Sequence, residues 1–289
     1  MIKKQVTLVS VSFVTAAAIS VGTAYLPVYF AVPRILYANI IPTALAAALL
    51  SLTACGSGDS NNASTIASIT NESSAVSTVN GEVPYTFFDD AVFVGDSVSL
   101  KLNLYVSAQR KNDNAFMGTA QFLTPGSYGT GNELKELGSD NSVHPSYNGT
   151  EMYLADAIEA MGAKKVFIML GMNDIAVYGN DGAVKNMETV LAQIKEKNPD
   201  TTIYVQSMTP IVGTAQTGSL TNENLNIYNT GLQAMCEQNG YIYLDVASVM
   251  KDDEGNLKRE YCSDPDNMGV HFTDEGCKVW IDYLRTHVS

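Results

Sequence analysis

Residues 91–100 read AVFVGDSVSL: an apolar run, then Gly95-Asp96-Ser97, then the start of a helical pattern. A short apolar run closed by a turn signal suits a strand covered on both faces, as strands of a parallel sheet are. Asp and Ser are ordinary caps for the helix that would follow. The same arrangement also presents the Ser97 hydroxyl where a strand ends and a helix begins, a position where helix N–H groups face a reacting atom. Ser97 is therefore either a cap or a nucleophile. The second reading requires a histidine and further oxyanion donors elsewhere in the chain.

Working outward, short apolar runs alternate with helix-period segments. Ala91–Gly95, Ala115–Gly118, Lys165–Leu170, Thr202–Gln206 and Tyr241–Val246 are the candidate strands. Between them Leu154, Ile158 and Met161 recur at helical spacing, as do Val184, Met187, Leu191 and Ile194, then Leu225, Tyr228, Leu232 and Met235. Thr273 is the candidate N-cap of a last helix, with Asp274 and Glu275 complementing its dipole. The alternation predicts an α/β domain with a mainly parallel five-stranded sheet, and right-handed crossovers put helices on both faces. Residues 119–148 interrupt the rhythm with a polar loop rich in Gly, Ser, Asn and Tyr.

In open parallel sheets, ligands sit beyond the carboxyl ends of strands, where the strand order switches. With a 2-1-3-4-5 order, the loops after the first three strands are neighbours. They carry Ser97, then FMGTAQF (116–122), then LGMNDI (170–175). Gly95-Asp96-Ser97, Gly171-Met172-Asn173-Asp174 and the histidine of GVHFTDEG (269–276), in this order and ahead of a terminal helix, resemble the GDSL/SGNH hydrolase family from roughly Phe87 to the C-terminus. The resemblance implies a flavodoxin-like, three-layer α/β/α domain that hydrolyses acyl esters by serine chemistry without a cofactor. The G-x-S-x-G elbow of α/β-hydrolases is not present in this segment.

A serine hydroxyl is a weak nucleophile unless a base stands beside it. Three histidines are available: His144 in the polar loop, His271 before the last helix, and His287 near the C-terminus. The family keeps its base before the last helix, which implies His271. The expected oxyanion donors are the backbone N–H of Ser97, the side-chain amide of Asn173 and a glycine N–H after the second strand. Gly118 is the expected glycine, with Ala120 as the alternative; Asp96 and Asp174 are expected to hold loop backbone. The family usually places the acid that orients the histidine three residues before it, and here that position is Met268. Asp266 is the expected acid and Asp264 the second choice; a dyad in which His271 leans on a backbone carbonyl is the remaining arrangement.

Composition bounds the rest. The chain has 289 residues, 46% of them hydrophobic, enough for one sizeable core. Residues 1–58 contain Lys3, Lys4 and Arg34 and no acid, so all 30 acidic groups and 14 of the 17 basic ones lie beyond them. Such a surface repels phosphate backbones, which argues against nucleic-acid partners. Lys3 and Lys4 precede a long apolar run, and a second run ends in Leu52-Thr53-Ala54-Cys55, which resembles a bacterial lipobox with Cys55 as the lipidated residue. A transmembrane anchor is the competing reading of either run. Both put the folded part outside the cytoplasm, on the cell membrane. Residues 56–83 read as a flexible Ser/Asn/Thr-rich linker and 84–289 as the hydrolase domain.

The remaining cysteines lack C-x-x-C spacing and the histidines are scattered, so a metal site is not expected. A Cys262–Cys277 disulfide is open, and Cys236 reads as a buried thiol. Tyr128, Asn132, Tyr147 and Asn148 in the polar loop offer contacts that suit sugars, so an acylated glycan or small ester is the expected substrate. A lysophospholipase- or lipase-like acylhydrolase, an acyltransferase, and a non-catalytic cell-surface binding protein are the alternatives.

Overall fold

The computed structural model describes residues 81–288; the lipobox-like stretch with Cys55 and most of the expected linker lie outside them. Along the chain come β1 (Ala91–Gly95), α1 (Ser97–Gln109), β2 (Gln121–Leu123), the short α2 (Thr130–Glu133), β3 (Ser146–Tyr147), β4 (Thr150–Glu151), α3 (Leu154–Met161), β5 (Lys165–Met169), α4 (Ile175–Lys197), β6 (Thr202–Gln206), α5 (Asn222–Asn239), β7 (Ile242–Leu244), α6 (Ala247–Met250) and α7 (Asp274–His287). The main sheet is parallel throughout, in the order β2-β1-β5-β6-β7, and β3 and β4 form a separate two-stranded hairpin. Numbered among the five main strands, this is the 2-1-3-4-5 order.

The central strands are apolar because both their faces are covered. All five residues of β1 are buried, as are four of the five in β5. On one face the aromatic rings of Phe122, Phe93, Phe167 and Tyr204, each opposite the next in register, stack with centroids 5.2, 4.8 and 4.4 Å apart. Helices α3, α4 and α5 pack in succession, while α1 and α6 pack on α7. Left-handed glycines, Gly162 and Gly240, end α3 and α5. Thr273 caps α7 by accepting from the Gly276 N–H.

Four local expectations are corrected. Ala115–Gly118 is a turn, not a strand; the edge strand is Gln121–Leu123, and the apolar residues before it fill a loop whose carbonyls (Phe116, Met117, Gly118, Ala120) are gathered by the Arg110 guanidinium. Residues 119–148 are not simply a polar loop: they carry β2 and α2, and Tyr128, Thr130, Glu133 and His144 are buried. The folded part begins before residue 84, since Val83 is fully enclosed and pairs with Arg285 through its N–H (2.8 Å) and its carbonyl (3.1 Å). Cys236, Cys262 and Cys277 are buried free thiols, so Cys262 and Cys277 are not bridged.

Candidate active site

The junction of β1 and α1 is tight enough to require its glycine. A Cβ on Gly95 would lie 2.0 Å from the Ser99 Oγ and 3.0 Å from the Met169 carbonyl oxygen. Asp96 then caps α1, its Oδ1 accepting from the Val98 N–H at 2.9 Å. Ser97 is the first helical residue, and its backbone N–H has no acceptor among the described residues.

Its side chain does have a partner. The Ser97 Oγ lies 3.0 Å from the Nε2 of His271, and the Nδ1 of His271 lies 2.7 Å from the Oδ2 of Asp264. A short loop turning back on itself makes this possible. Cys262 bridges Phe272, and the Ser263 N–H donates to the His271 carbonyl at 2.8 Å. Residue 264 therefore faces 270 and 271, and the Asp264 Oδ1 accepts from both their N–H groups at 3.1 Å. The Cys262 thiol donates to the same oxygen at 3.3 Å. Burial raises the pKa of Asp264, but these donors outweigh it and hold the carboxyl below its ordinary value. It is therefore an anion next to the imidazole.

The loop after β5 supplies Asn173. Its Nδ2 donates to the Tyr128 carbonyl at 2.9 Å and to the Asp96 Oδ2 at 3.2 Å, which joins the loops after β1, β2 and β5. Gly171, at φ 144°, makes room for the Tyr228 ring, whose atoms would lie 2.4 Å from a Cβ. Asp174 accepts from the N–H groups of Thr130 (3.0 Å) and Gly131 (2.8 Å) and so anchors α2.

The sequence profile of the GDSL-like Lipase/Acylhydrolase family matches residues 133–279, just over half of the chain. The chain belongs to this family. It is a family of acylhydrolases and esterases, which are carboxylic ester hydrolases. The matched stretch includes Asn173, Asp264 and His271, while Ser97 lies ahead of it. Among solved structures the chain is similar to a GDSL-like lipase from Bacteroides thetaiotaomicron, with TM-score 0.51 and 15% identity over 68% of this chain and 86% of that one. It is likewise similar to a protein described as a platelet activating factor from Streptococcus pneumonia, with TM-score 0.51 and 19% identity over 71% and 89% of the two chains. At these identities the likeness is one of fold. An N-acylneuraminate cytidylyltransferase from Escherichia coli is 32% identical over 116 residues, covering 39% of this chain and 26% of that protein. This chain thus spans about a quarter of that relative's length.

Two expected residues of this GDSL-type site lie elsewhere. Asp266 is at the tip of the 262–272 loop, 84% exposed in its side chain, and pairs with Arg259 at 2.6 Å; Asp264 takes the place beside His271 instead. Gly118 precedes β2, at the amino edge of the sheet. Because β2 runs parallel to β1, with Val92 opposite Gln121, Gly118 is separated from Ser97 by the length of β1, on the order of 15 Å. Its left-handed conformation (φ 52°) serves a turn packed on Asp89 and Tyr85. The alternative, Ala120, precedes β2 as well. The backbone that reaches Asn173 is the loop after β2, where the N–H groups of Tyr128 and Gly129 have no acceptor among the described residues.

The other histidines are not at Ser97. His144 is buried against Glu133, and His287 stacks on Tyr283 with centroids 3.9 Å apart. Tyr128 is buried too, its O–H donating to Glu133 at 2.8 Å, so its ring is not a surface contact for a sugar. No three His, Cys, Asp or Glu side chains among the described residues are grouped to hold a metal ion. No sequence signal singles out Asp264: only the pairing of Phe272 back to Cys262 makes position 264 face 270 and 271, whereas 266 falls at the bend.

Proposed function

We propose that the protein is a serine esterase working outside the cytoplasm, on acyl esters, O-acetyl esters foremost, of carbohydrates or small molecules. The observation that carries the serine mechanism is the continuous chain Ser97 Oγ–His271 Nε2 (3.0 Å) and His271 Nδ1–Asp264 Oδ2 (2.7 Å). Ser97 Oγ attacks the ester carbonyl carbon while His271 Nε2 takes its proton, and Asp264 holds the imidazolium through the Nδ1–H. The carbonyl electrons move onto oxygen. The Ser97 N–H, the Asn173 amide and an N–H of the Tyr128–Gly129 segment receive that charge. As the C–O bond to the alcohol breaks, His271 returns the proton to the leaving oxygen. Water, deprotonated by His271, then repeats the sequence on the acyl-serine and frees the acid.

The Asn173 amide already donates both its protons, the longer bond being the one to Asp96. A substrate oxyanion competes with Asp96 for that proton, so the donor is pre-aimed before substrate arrives. The preference for a polar alcohol draws on the exposed, polar Asn148, on Tyr147 of β3 and on Asn132 of α2. A second reading, longer-chain acyl esters as in a lysophospholipase, draws on Val177 and Met268. These lie on the segments carrying Asn173 and His271 and are 70% and 52% exposed. The location and the lipid anchor rest on Lys3, Lys4 and the Leu52–Cys55 stretch.

Turnover of p-nitrophenyl acetate by wild type, Ser97→Ala and Asn173→Ala tests the mechanism. Ser97→Ala is expected to abolish it, and Asn173→Ala to lower kcat by roughly 10²–10³ in a folded protein. Undiminished hydrolysis by Ser97→Ala would end the serine mechanism. An acyl series from acetyl to long-chain esters separates the two substrate readings, the acetyl ester being preferred under the first.

A further inference from the structure

We propose that Tyr128 and Glu133 are positioning residues of this hydrolase that act on catalysis through Asn173; the inference rests on Asn173 serving as an oxyanion donor. Tyr128 has two attachments. Its carbonyl accepts one Asn173 amide proton at 2.9 Å, and its enclosed phenol donates to the Glu133 Oε2 at 2.8 Å. Glu133, 3% exposed, is itself fastened at two further points. Its Oε1 accepts from the Leu154 N–H that opens α3, at 2.7 Å, and its Oε2 lies 3.3 Å from the Nδ1 of the enclosed His144. The other ring nitrogen of His144 has no partner among the described residues, which leaves Glu133 as the polar group this imidazole faces. Burial raises the Glu133 carboxyl above its ordinary pKa, and its donors oppose that shift.

A four-residue helix such as α2 has no stability of its own. Here it is clamped at both ends: at the start by the Asp174 carboxylate on Thr130 and Gly131, at the end by Glu133. The peptide that orients Asn173 lies immediately before this clamped turn. Without the phenol bond Tyr128 keeps its enclosed ring and the Asp174 clamp on the turn that follows but loses its tie to Glu133, and the aim of the amide loosens when charge develops on substrate oxygen.

The test is a double-mutant cycle in p-nitrophenyl acetate hydrolysis, with kcat, KM and Tm for Tyr128→Phe, Asn173→Ala, the pair, and Ser97→Ala as reference. Phe keeps the ring in its enclosure and removes only the O–H. Tyr128→Phe is expected to lower kcat about tenfold with KM changed less than about twofold, and to cost less than about twofold on the Asn173→Ala background. Glu133→Gln is expected to show the same split and takes the place of Tyr128→Phe in the cycle if that variant does not fold. An unchanged kcat, or an equal loss in both backgrounds, overturns the inference. The reference separates the two failures: if Ser97→Ala retains activity the serine mechanism is wrong, whereas loss in Ser97→Ala and Asn173→Ala with no effect of Tyr128→Phe removes only the positioning role.

Discussion

Two carboxylates two residues apart compete for one imidazole, and their surroundings decide between them. Asp264 receives two backbone N–H groups and a thiol on one oxygen and turns the other to His271. Asp266 stands in solvent with Arg259, where an ion pair contributes little. Asp264→Asn keeps the size of the side chain and removes its charge, so kcat for p-nitrophenyl acetate is expected to fall by roughly 10²–10⁴. Asp266→Ala is expected to stay within about twofold of wild type, since an exposed pair remote from the imidazole has no part in the proton transfer. The reverse ranking of the two variants would return Asp266 to the site. Neither residue type nor count distinguishes them in the sequence; the distinction is the register of the turn-back that pairs Cys262 with Phe272.

At the scale of the element, the first turn of α1 is where structure and chemistry share a residue. Asp96 is the N-cap, fully buried beside Asn173, and burial pushes its carboxyl up to about 6 from an ordinary 3.8. The sign follows from linkage. Below pH 3.8 the group is protonated folded or unfolded; between 3.8 and about 6 the unfolded chain ionises first, so stability declines as pH rises through this window. Above it the loss levels off near 3 kcal/mol for a shift of this size. Asp96→Asn retains an acceptor for the Val98 N–H and cannot ionise. Urea unfolding of wild type and Asp96→Asn from pH 4 to 7 is expected to show the wild type losing stability relative to the variant as pH rises, by up to that amount. Parallel curves would mean that Asp96 does not titrate there. The buried strands β1, β5 and β6 were legible because enclosure on both faces demands unbroken apolar runs. β2 was not: an edge strand of three residues is only partly covered, so its composition is mixed, and the more apolar AFMG beside it marks a packed turn.

The described residues of the chain close on themselves through the last helix. Arg285 on α7 pairs with Glu82 at 2.7 Å, binds the Val83 carbonyl, and lies 4.7 Å over the Tyr85 ring, while Val83 enters the core. The same helix follows the loop that carries His271, and its Asp274 pairs with Lys101 of α1 at 2.6 Å. Removing residues through Val83 is expected to cost about 2 kcal/mol of stability from a lost buried side chain and its backbone bonds. The reference is the truncation that starts at Gly81 and so keeps Glu82 and Val83. Thermal unfolding of the two truncations reads the difference, and kcat per folded molecule should be the same in both; equal Tm values would show the clamp to be idle.

Reading the chain alone was enough for the α/β alternation; the flavodoxin-like domain and the choice of His271 as the base were implied by the resemblance to the GDSL/SGNH family. Burial periodicity marks the strands, and the 2-1-3-4-5 order of the parallel sheet then makes the loops after its first three strands neighbours. Which acid stands behind the histidine, which backbone reaches the asparagine, and that Tyr128, Glu133 and His144 form an enclosed polar network were decided only in three dimensions. Those facts depend on how loops of irregular backbone turn and pack, and hydrogen bonds between residues distant in sequence leave no periodic mark on it.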